Sequence, residues 1–296
     1  DKVNVINYSM GGRSMRACYT ENRFNDLLLT AKEGDFLLLH SAHNDETVDA
    51  TSRFGRGSTN ELYPKWLNDI YIPAMLSRGV HPILVTSMPR TGDGKYSENT
   101  SKPNGFNPDS PGFMRAAAKA NDKVECVELY ANAKKYIDTM GPDRILNIYM
   151  SIEAGETPGK TNSGSYANGH PDNKTDGTHY KEAASKVWCQ LIAQDIYKQA
   201  NESSASDTIK ELSSYLKDTV KEASASDDWS KVFPERANDV SEKDSTGYYY
   251  RNQIEKLIQL GVMEKDASGK FYAEKAMTPE EFISALCSLW GLDLTD

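Results

Sequence analysis

The amino-acid sequence predicts an α/β fold in which a parallel sheet carries helices on both faces, followed by a smaller helical part. Three observations predict it. From Val3 to Lys198, short apolar runs alternate with helical patterns of ten or more residues, the order expected of βαβ units. The apolar runs are continuous rather than alternating in polarity, as strands covered on both faces are. The charge then changes: residues 201–296 hold 11 Lys/Arg against 19 Asp/Glu, so −8 of the net −9 lies there and the preceding 200 residues are nearly neutral.

Taken in order, "VNVINYS" (3–9) reads as a strand running into a Gly turn, and "ENRFNDLLLTA" (21–31) as a helix. "DFLLLHSA" (35–42), bounded by Gly34, is a strand. "YPKWLNDIYIPAMLSRG" (63–79) is a helix stopped by Gly79. "HPILVTSMP" (81–89) is the next strand, then a polar loop runs from Thr91 to Pro111, a helix covers "FMRAAAKAND", and "VECVELY" (124–130) is another strand. A long amphipathic helix ends the region at Lys198.

Composition excludes some function classes. Neither part has the basic stripe that neutralises a phosphate backbone, so nucleic acid is not an expected partner. No apolar run approaches the roughly 18 residues that a membrane span needs. The four cysteines, Cys18, Cys126, Cys189 and Cys287, lie far apart without paired CxxC spacing, which specifies neither a metal site nor a disulfide framework. The first residues show no initiator Met and no signal peptide, and the expectation is that a segment upstream has been removed or left out.

Ligands of open parallel sheets sit beyond the carboxyl ends of the strands, so the loops there are the ones to read. "SMGGRS" (9–14) follows the first strand, "SAHNDET" (41–47) the second, and "DGTH" (176–179) comes near the end of the region. A Gly pair lets backbone N–H groups face a ligand, and Asn44 adds an amide donor. Two such donors are the parts of an oxyanion hole, each worth about 2.7–4 kcal/mol of transition-state stabilisation. His179 supplies a general base, with Asp176 accepting its other ring proton. Alone, the Gly pair marks a tight turn, His-Asn-Asp a helix cap, and a single Asp-x-x-His is structural in most chains. Their order, spacing and shared position after strands give them weight.

These residues resemble the SGNH (GDSL-type) hydrolases over residues 1–198, and within them the rhamnogalacturonan acetylesterase group. The resemblance rests on Gly12-Arg13-Ser14, on Ala42-His43-Asn44-Asp45 where the family has Gly-His-Asn-Asp, and on Asp176 to His179. It implies a flavodoxin-like three-layer sandwich, Gly12 and Asn44 as the oxyanion hole, His179 as base and Asp176 as its partner. It also implies a nucleophilic serine in a Gly-Asp-Ser block after a first strand about thirty residues earlier, a block this chain does not contain. That strand is central in the family, so the expectation is that an upstream segment or a second chain carries it. "KDSTG" (243–247) has no apolar strand before it and reads as a polar turn. Ser9 and Ser14 hold the loop in the family pattern, and no nucleophile is assigned.

Residues 91–111 and 151–174 are long loops rich in Gly, Asn, Ser and Pro on the expected rim of the site. Tyr96, Tyr166 and His170 in them are candidates for stacking on or hydrogen-bonding a sugar, and His170 reads equally as an exposed loop residue. Residues 201–228 read as a helical linker, with Ile209, Leu212, Leu216 and Val220 at helical spacing between two copies of Ser-Ala-Ser-Asp. Residues 229–296 resemble one S-layer homology (SLH) repeat, with a helix ending at Gly261, a Gly-containing turn, Phe271 and a second helix opened by Thr278, Pro279 and Glu281. Pro279 replaces the Arg usual there, and an alternative is a helical pair packed on its neighbours.

The reading is therefore a serine hydrolase domain over 1–200, the linker and the SLH-like module. What the resemblance implies is removal of acetyl groups from a pectic cell-wall polysaccharide, without metal or organic cofactor, by a protein secreted or held at a bacterial surface through a cell-wall polymer. Alternatives are a general esterase or lipase on small esters or lipids, and an inactive carbohydrate-binding or attachment protein.

Overall fold

The computed structural model describes residues 3–41, 43–45, 62–89, 109–140, 149–152, 174–224, 237–240 and 246–292. The chain divides into two units, one of residues 1–90, 97–136 and 191–225, the other of 91–96, 137–190 and 226–296.

In the first unit, α1 (Met15–Thr20) and α2 (Arg23–Thr30) precede β1 (Phe36–Leu39). A helical run follows, made of α3 (Leu62–Lys65), a π-helical stretch (Trp66–Tyr71) and α4 (Ile72–Ser77), and leads to β2 (His81–Val85). Next come α5 (Asp109–Ala120), β3 (Glu125–Val127) and α6 (Leu129–Met140). The sheet is parallel, in the order β1-β2-β3, with Phe36 opposite His81 and Leu84 opposite Cys126. The mixed α/β fold with a parallel sheet predicted from the sequence is thus present.

Both faces of the sheet are covered. Leu37, Leu39, Leu84 and Cys126 lie on the face that joins the main core, with Met15, Phe24, Tyr63, Leu67, Tyr71, Met75 and Met114 from the flanking helices. Phe36 and His81 lie on the other face, against Tyr215 and Thr208. Ile83, Leu84 and Val85 are all buried, which is why β2 needs an unbroken apolar run.

One expectation changes. Val3–Ser9 is in no strand among the described residues, and its apolar side chains are exposed. A strand pattern specifies which residues can join a ladder but not that a neighbour is present to pair with. Within residues 201–228 lie two helices, α8 (Asp207–Ser214), capped by the Ser206 hydroxyl, and α9 (Asp218–Ser224), separated at Tyr215–Lys217. Between α6 and α8 lie β4 (Tyr149–Ile152), β5 (Lys174–Tyr180) and α7 (Glu182–Ala200), with β4 and β5 antiparallel.

The second unit ends in a 3-10 turn (Asn238–Val240), α10 (Thr246–Tyr249), α11 (Arg251–Gln259) and α12 (Pro279–Trp290). A small core of Ala237, Val240 and Ile254, with Ile258, Phe271 and Ala273 against it, joins the first of these elements. Gly269 sits at φ +80°, and a Cβ there would stand 2.6 Å from Asn238 Nδ2, so the turn requires glycine. Of "KDSTG", Thr246 and Gly247 begin α10, and the other three residues lie outside the described residues.

Candidate active site

The sequence-predicted site residues fall in both units: Gly12 and Asn44 in the first, Asp176 and His179 in the second. Each group is built by its own local chemistry.

In the first group, Gly12 adopts φ +74°, the left-handed region that glycine enters without a Cβ penalty, and turns the chain into α1. Ser14 is the N-cap of that helix, fully buried, its Oγ accepting the Ala17 N–H at 3.1 Å. The first helical N–H, on Met15, has no partner within the helix. It donates to the buried carboxylate of Asp45, at 3.1 Å to Oδ1 and 3.4 Å to Oδ2, while Ser41 Oγ donates to Asp45 Oδ2 at 3.2 Å. A residue of the second loop thereby completes the helix that follows the first loop.

Other bonds tie the same two loops. Asn44 Nδ2 donates to the Arg13 carbonyl at 3.2 Å, and His43 Nε2–H donates to the Met88 carbonyl at 2.8 Å, which fixes the proton on that nitrogen. Two tyrosines of the helical run reach up from the core: Tyr63 Oη donates to the Ser41 carbonyl at 2.6 Å and Tyr71 Oη to the Met15 carbonyl at 2.7 Å. Burial pushes both phenols up from their ordinary pKa, so they stay protonated and act as donors. Arg13 braces the Gly turn from outside, donating to the Gly11 carbonyl at 3.1 Å and to Glu21 Oε2 at 2.9 Å. Arg23 and Arg13 together hold the Glu21 carboxyl below its usual range.

The second group lies on β5. "DGTH" was expected in a loop; its backbone is instead in a strand paired with β4, with Tyr180 opposite Tyr149 and Thr175 opposite Ser151. His179 is exposed there, and the Asp176 side chain lies outside the described residues. Beside them Tyr180 meets the ring of Trp188 edge-on at 6.4 Å. Ala42, Tyr96, Tyr166 and His170 lie outside the described residues.

With this geometry in place, the chain can be set beside known proteins. It is similar to rhamnogalacturonan acetylesterases. The rhamnogalacturonan acetylesterase RhgT of Bacillus subtilis (strain 168) is 25% identical over 194 residues, 66% of this chain and 74% of that protein. The probable rhamnogalacturonan acetylesterase YesY of the same organism is 27% identical over 196 residues, 66% of this chain and 77% of its own. No family model matches the sequence. Among the described residues, no helix is long and apolar enough to cross a membrane.

Asp45 is the residue whose part in the site sequence reasoning did not find. It was read as the end of a His-Asn-Asp motif, and nothing local shows that its carboxylate caps a helix thirty residues earlier in the chain. The thiols are poor nucleophile candidates: burial raises the Cys18 and Cys189 pKa and pushes that of Cys126 up to about 12, so all three are held as thiols.

Proposed function

We propose that this protein is a serine carbohydrate acetylesterase of the SGNH type that removes acetyl groups from a pectic, rhamnogalacturonan-like polysaccharide. The observation that carries the reading is the likeness to two rhamnogalacturonan acetylesterases over two thirds of the chain. The interlocked loops around Gly12 and Asn44 support it, because an oxyanion hole works only if its donors are held in place before charge develops.

In this mechanism a serine hydroxyl attacks the acetyl carbonyl while His179 takes its proton, and Asp176 accepts the other ring N–H and keeps the imidazole oriented. The tetrahedral oxyanion is held by the Gly12 N–H and the Asn44 amide. Collapse expels the sugar oxygen, which takes the proton from His179 and leaves an acetyl-enzyme. His179 then deprotonates a water that attacks the acetyl group, and acetate departs with the serine restored. Ser14 is not the nucleophile, since its buried hydroxyl caps α1. Tyr96, Tyr166 and His170 bind the sugar, and the SLH-like module over residues 229–296 holds the secreted enzyme to a cell-wall polymer.

The test is acetate release from acetylated rhamnogalacturonan by the full-length natural polypeptide, with chemically deacetylated polymer as control. His179→Ala should abolish release, and Asn44→Ala should lower kcat about a hundred- to a thousandfold with KM little changed. Faster turnover of short-chain esters or lipids than of the polymer would replace this reading with that of a general esterase. No hydrolysis of any acetyl ester would leave a carbohydrate-binding protein.

A further inference from the structure

The helical run Leu62–Ser77 carries two polar groups that its packing does not require. Tyr63, Leu67, Tyr71 and Met75 form one buried stripe, and Leu67 and Met75 hold their places in it with no hydroxyl. A buried hydroxyl costs free energy unless it finds an acceptor, so phenylalanine would serve packing better. Both phenols find theirs at the loops of the candidate site. Tyr63 Oη donates to the carbonyl of Ser41, three residues before Asn44, and Tyr71 Oη to that of Met15, three residues after Gly12.

These bonds close a ring. Met15 and Ser41 also share the Asp45 carboxylate, through the Met15 N–H and the Ser41 hydroxyl, so the path from Tyr71 to Met15, Asp45, Ser41 and Tyr63 returns along one helical run. The run is wound to fit it. Eight positions separate the two tyrosines, and an α-helix turning about 100° per residue would leave them about 80° out of phase. The π-helical stretch Trp66–Tyr71 turns more slowly and brings both to the same face. Neighbouring rings then fix their direction: Phe24 of α2 stacks on Tyr71 with centroids 3.9 Å apart, and Phe113 of α5 lies 6.0 Å from Tyr63.

We infer that Tyr63 and Tyr71 are positioning residues for the oxyanion hole, set in register by the π-helical stretch. Oxyanion donors lower a barrier only if they need not move when charge develops. Backbone loops alone do not give that rigidity, and a close-packed core does. The two phenols carry the rigidity of the core to the Gly12 turn at one end and to the Asn44 loop at the other. What these loops do in the reaction rests on the acetylesterase reading; that the phenols hold them does not.

Tyr63→Phe and Tyr71→Phe each delete one bond and keep the ring in its packing, so both variants should fold. Nuclear magnetic relaxation on the 296-residue chain reads the loops directly, through the Gly12 N–H and the Asn44 side-chain amide. Tyr71→Phe should lower the order parameter at Gly12, and Tyr63→Phe that at Asn44, from about 0.85 toward 0.6, with Leu84 unchanged. Tyr19→Phe, on α1 but outside the ring of bonds, should alter neither. In the full-length natural polypeptide acting on acetylated rhamnogalacturonan, each of the two variants should lower kcat about tenfold with KM unchanged. Tyr63→Phe should cost less than about twofold when Asn44 is already Ala, because it acts through Asn44. A tyrosine with a merely structural role would lower the unfolding midpoint and leave the order parameters and the kcat of folded enzyme as they were. Loops that stay rigid in both variants overturn the inference whatever the activity. So does an active enzyme whose kcat neither variant changes, or one in which Tyr63→Phe costs as much beside Asn44→Ala as alone. Loosened loops in variants of a wild type that releases no acetate uphold the positioning and count against the acetylesterase reading alone.

Discussion

The helical run Leu62–Ser77 and the helix α12 were both legible in the sequence, yet different forces hold them. The run has Pro64 and Pro73 in it and a π-helical stretch between, so its local signals are poor. It is secured by burial: Tyr63, Leu67, Tyr71 and Met75 recur every fourth residue and all are buried. A four-residue repeat outruns the 3.6 residues of an α turn, and the wider π turn lets the stripe keep facing one way. Helix α12 is the reverse case. It has a full capping box of Thr278 and Glu281, Pro279 in its first turn, and Gly291 at φ +67° with the Leu292 N–H donating to the Cys287 carbonyl at 2.8 Å. It buries no residue, and Trp290 is 70% exposed. Caps define where a helix starts and stops; packing decides how much the protein depends on it.

The largest expected effect tests that contrast directly. Met75→Ala removes a fully buried side chain from the main core and should cost about 2–5 kcal/mol in urea unfolding. Phe282→Ala on the exposed face of α12 should stay within about 0.5 kcal/mol. A loss at Phe282 as large as at Met75 would mean that α12 is covered in solution, and the contrast would fail.

Next comes Asp45, where polar groups rather than apolar area secure the loops. Asp45→Ala leaves the Met15 N–H and the Ser41 hydroxyl without their carboxylate, and should destabilise the first unit by about 1–3 kcal/mol. Asp45→Asn, which keeps one acceptor oxygen, should recover part of this. If both variants unfold with the wild type, the interlock of the two loops does not depend on this carboxylate.

These cases show what the sequence could and could not reveal. Apolar periodicity located α2, the helical run, α5 and α7, and the unbroken run "HPILV" located β2, a strand buried on both faces. The short helix α1 was missed, because six residues behind a Gly-Gly turn carry too little periodicity to register. "DGTH" was read as a loop; Asp and Gly are poor strand formers, and the pairing of β5 with β4 overrides that preference. Val3–Ser9 failed the opposite way: its residues suit a strand, but pairing is not a local property. At the site, the turn at Gly12 was readable because a glycine pair marks one locally, whereas the capping role of Ser14 was hidden with the helix it starts. The long-range grip of Asp45 was hidden too.

A smaller effect is expected at the α12 cap. Thr278→Ala removes the acceptor of the Glu281 N–H at 3.2 Å and should cost about 1 kcal/mol, with Thr278→Asn close to neutral. Amide exchange in the first turn of α12 is the readout, since global unfolding will barely register a helix that buries nothing.

The smallest effect concerns the turn before α12. Asp266 accepts the Lys270 N–H at 2.9 Å, the Ser268 N–H at 2.8 Å and hydroxyl at 2.7 Å, and the Tyr272 hydroxyl at 2.9 Å. With the Lys270 N–H first among the causes, these donors lower its pKa from an ordinary 3.8 to about 2. A carboxyl depressed on folding binds its proton more tightly in the unfolded chain, so its stabilisation is complete above about pH 3.8 and is lost as the pH falls through about 2. The turn should therefore hold its Ser268 and Lys270 amide shifts down to about pH 3 and lose them together below that. Asp266→Asn should remove the step. A midpoint at 3.8 would mean that the four donors leave the carboxylate in solution, and that the turn is held by its backbone bonds and those of Asn238 without it.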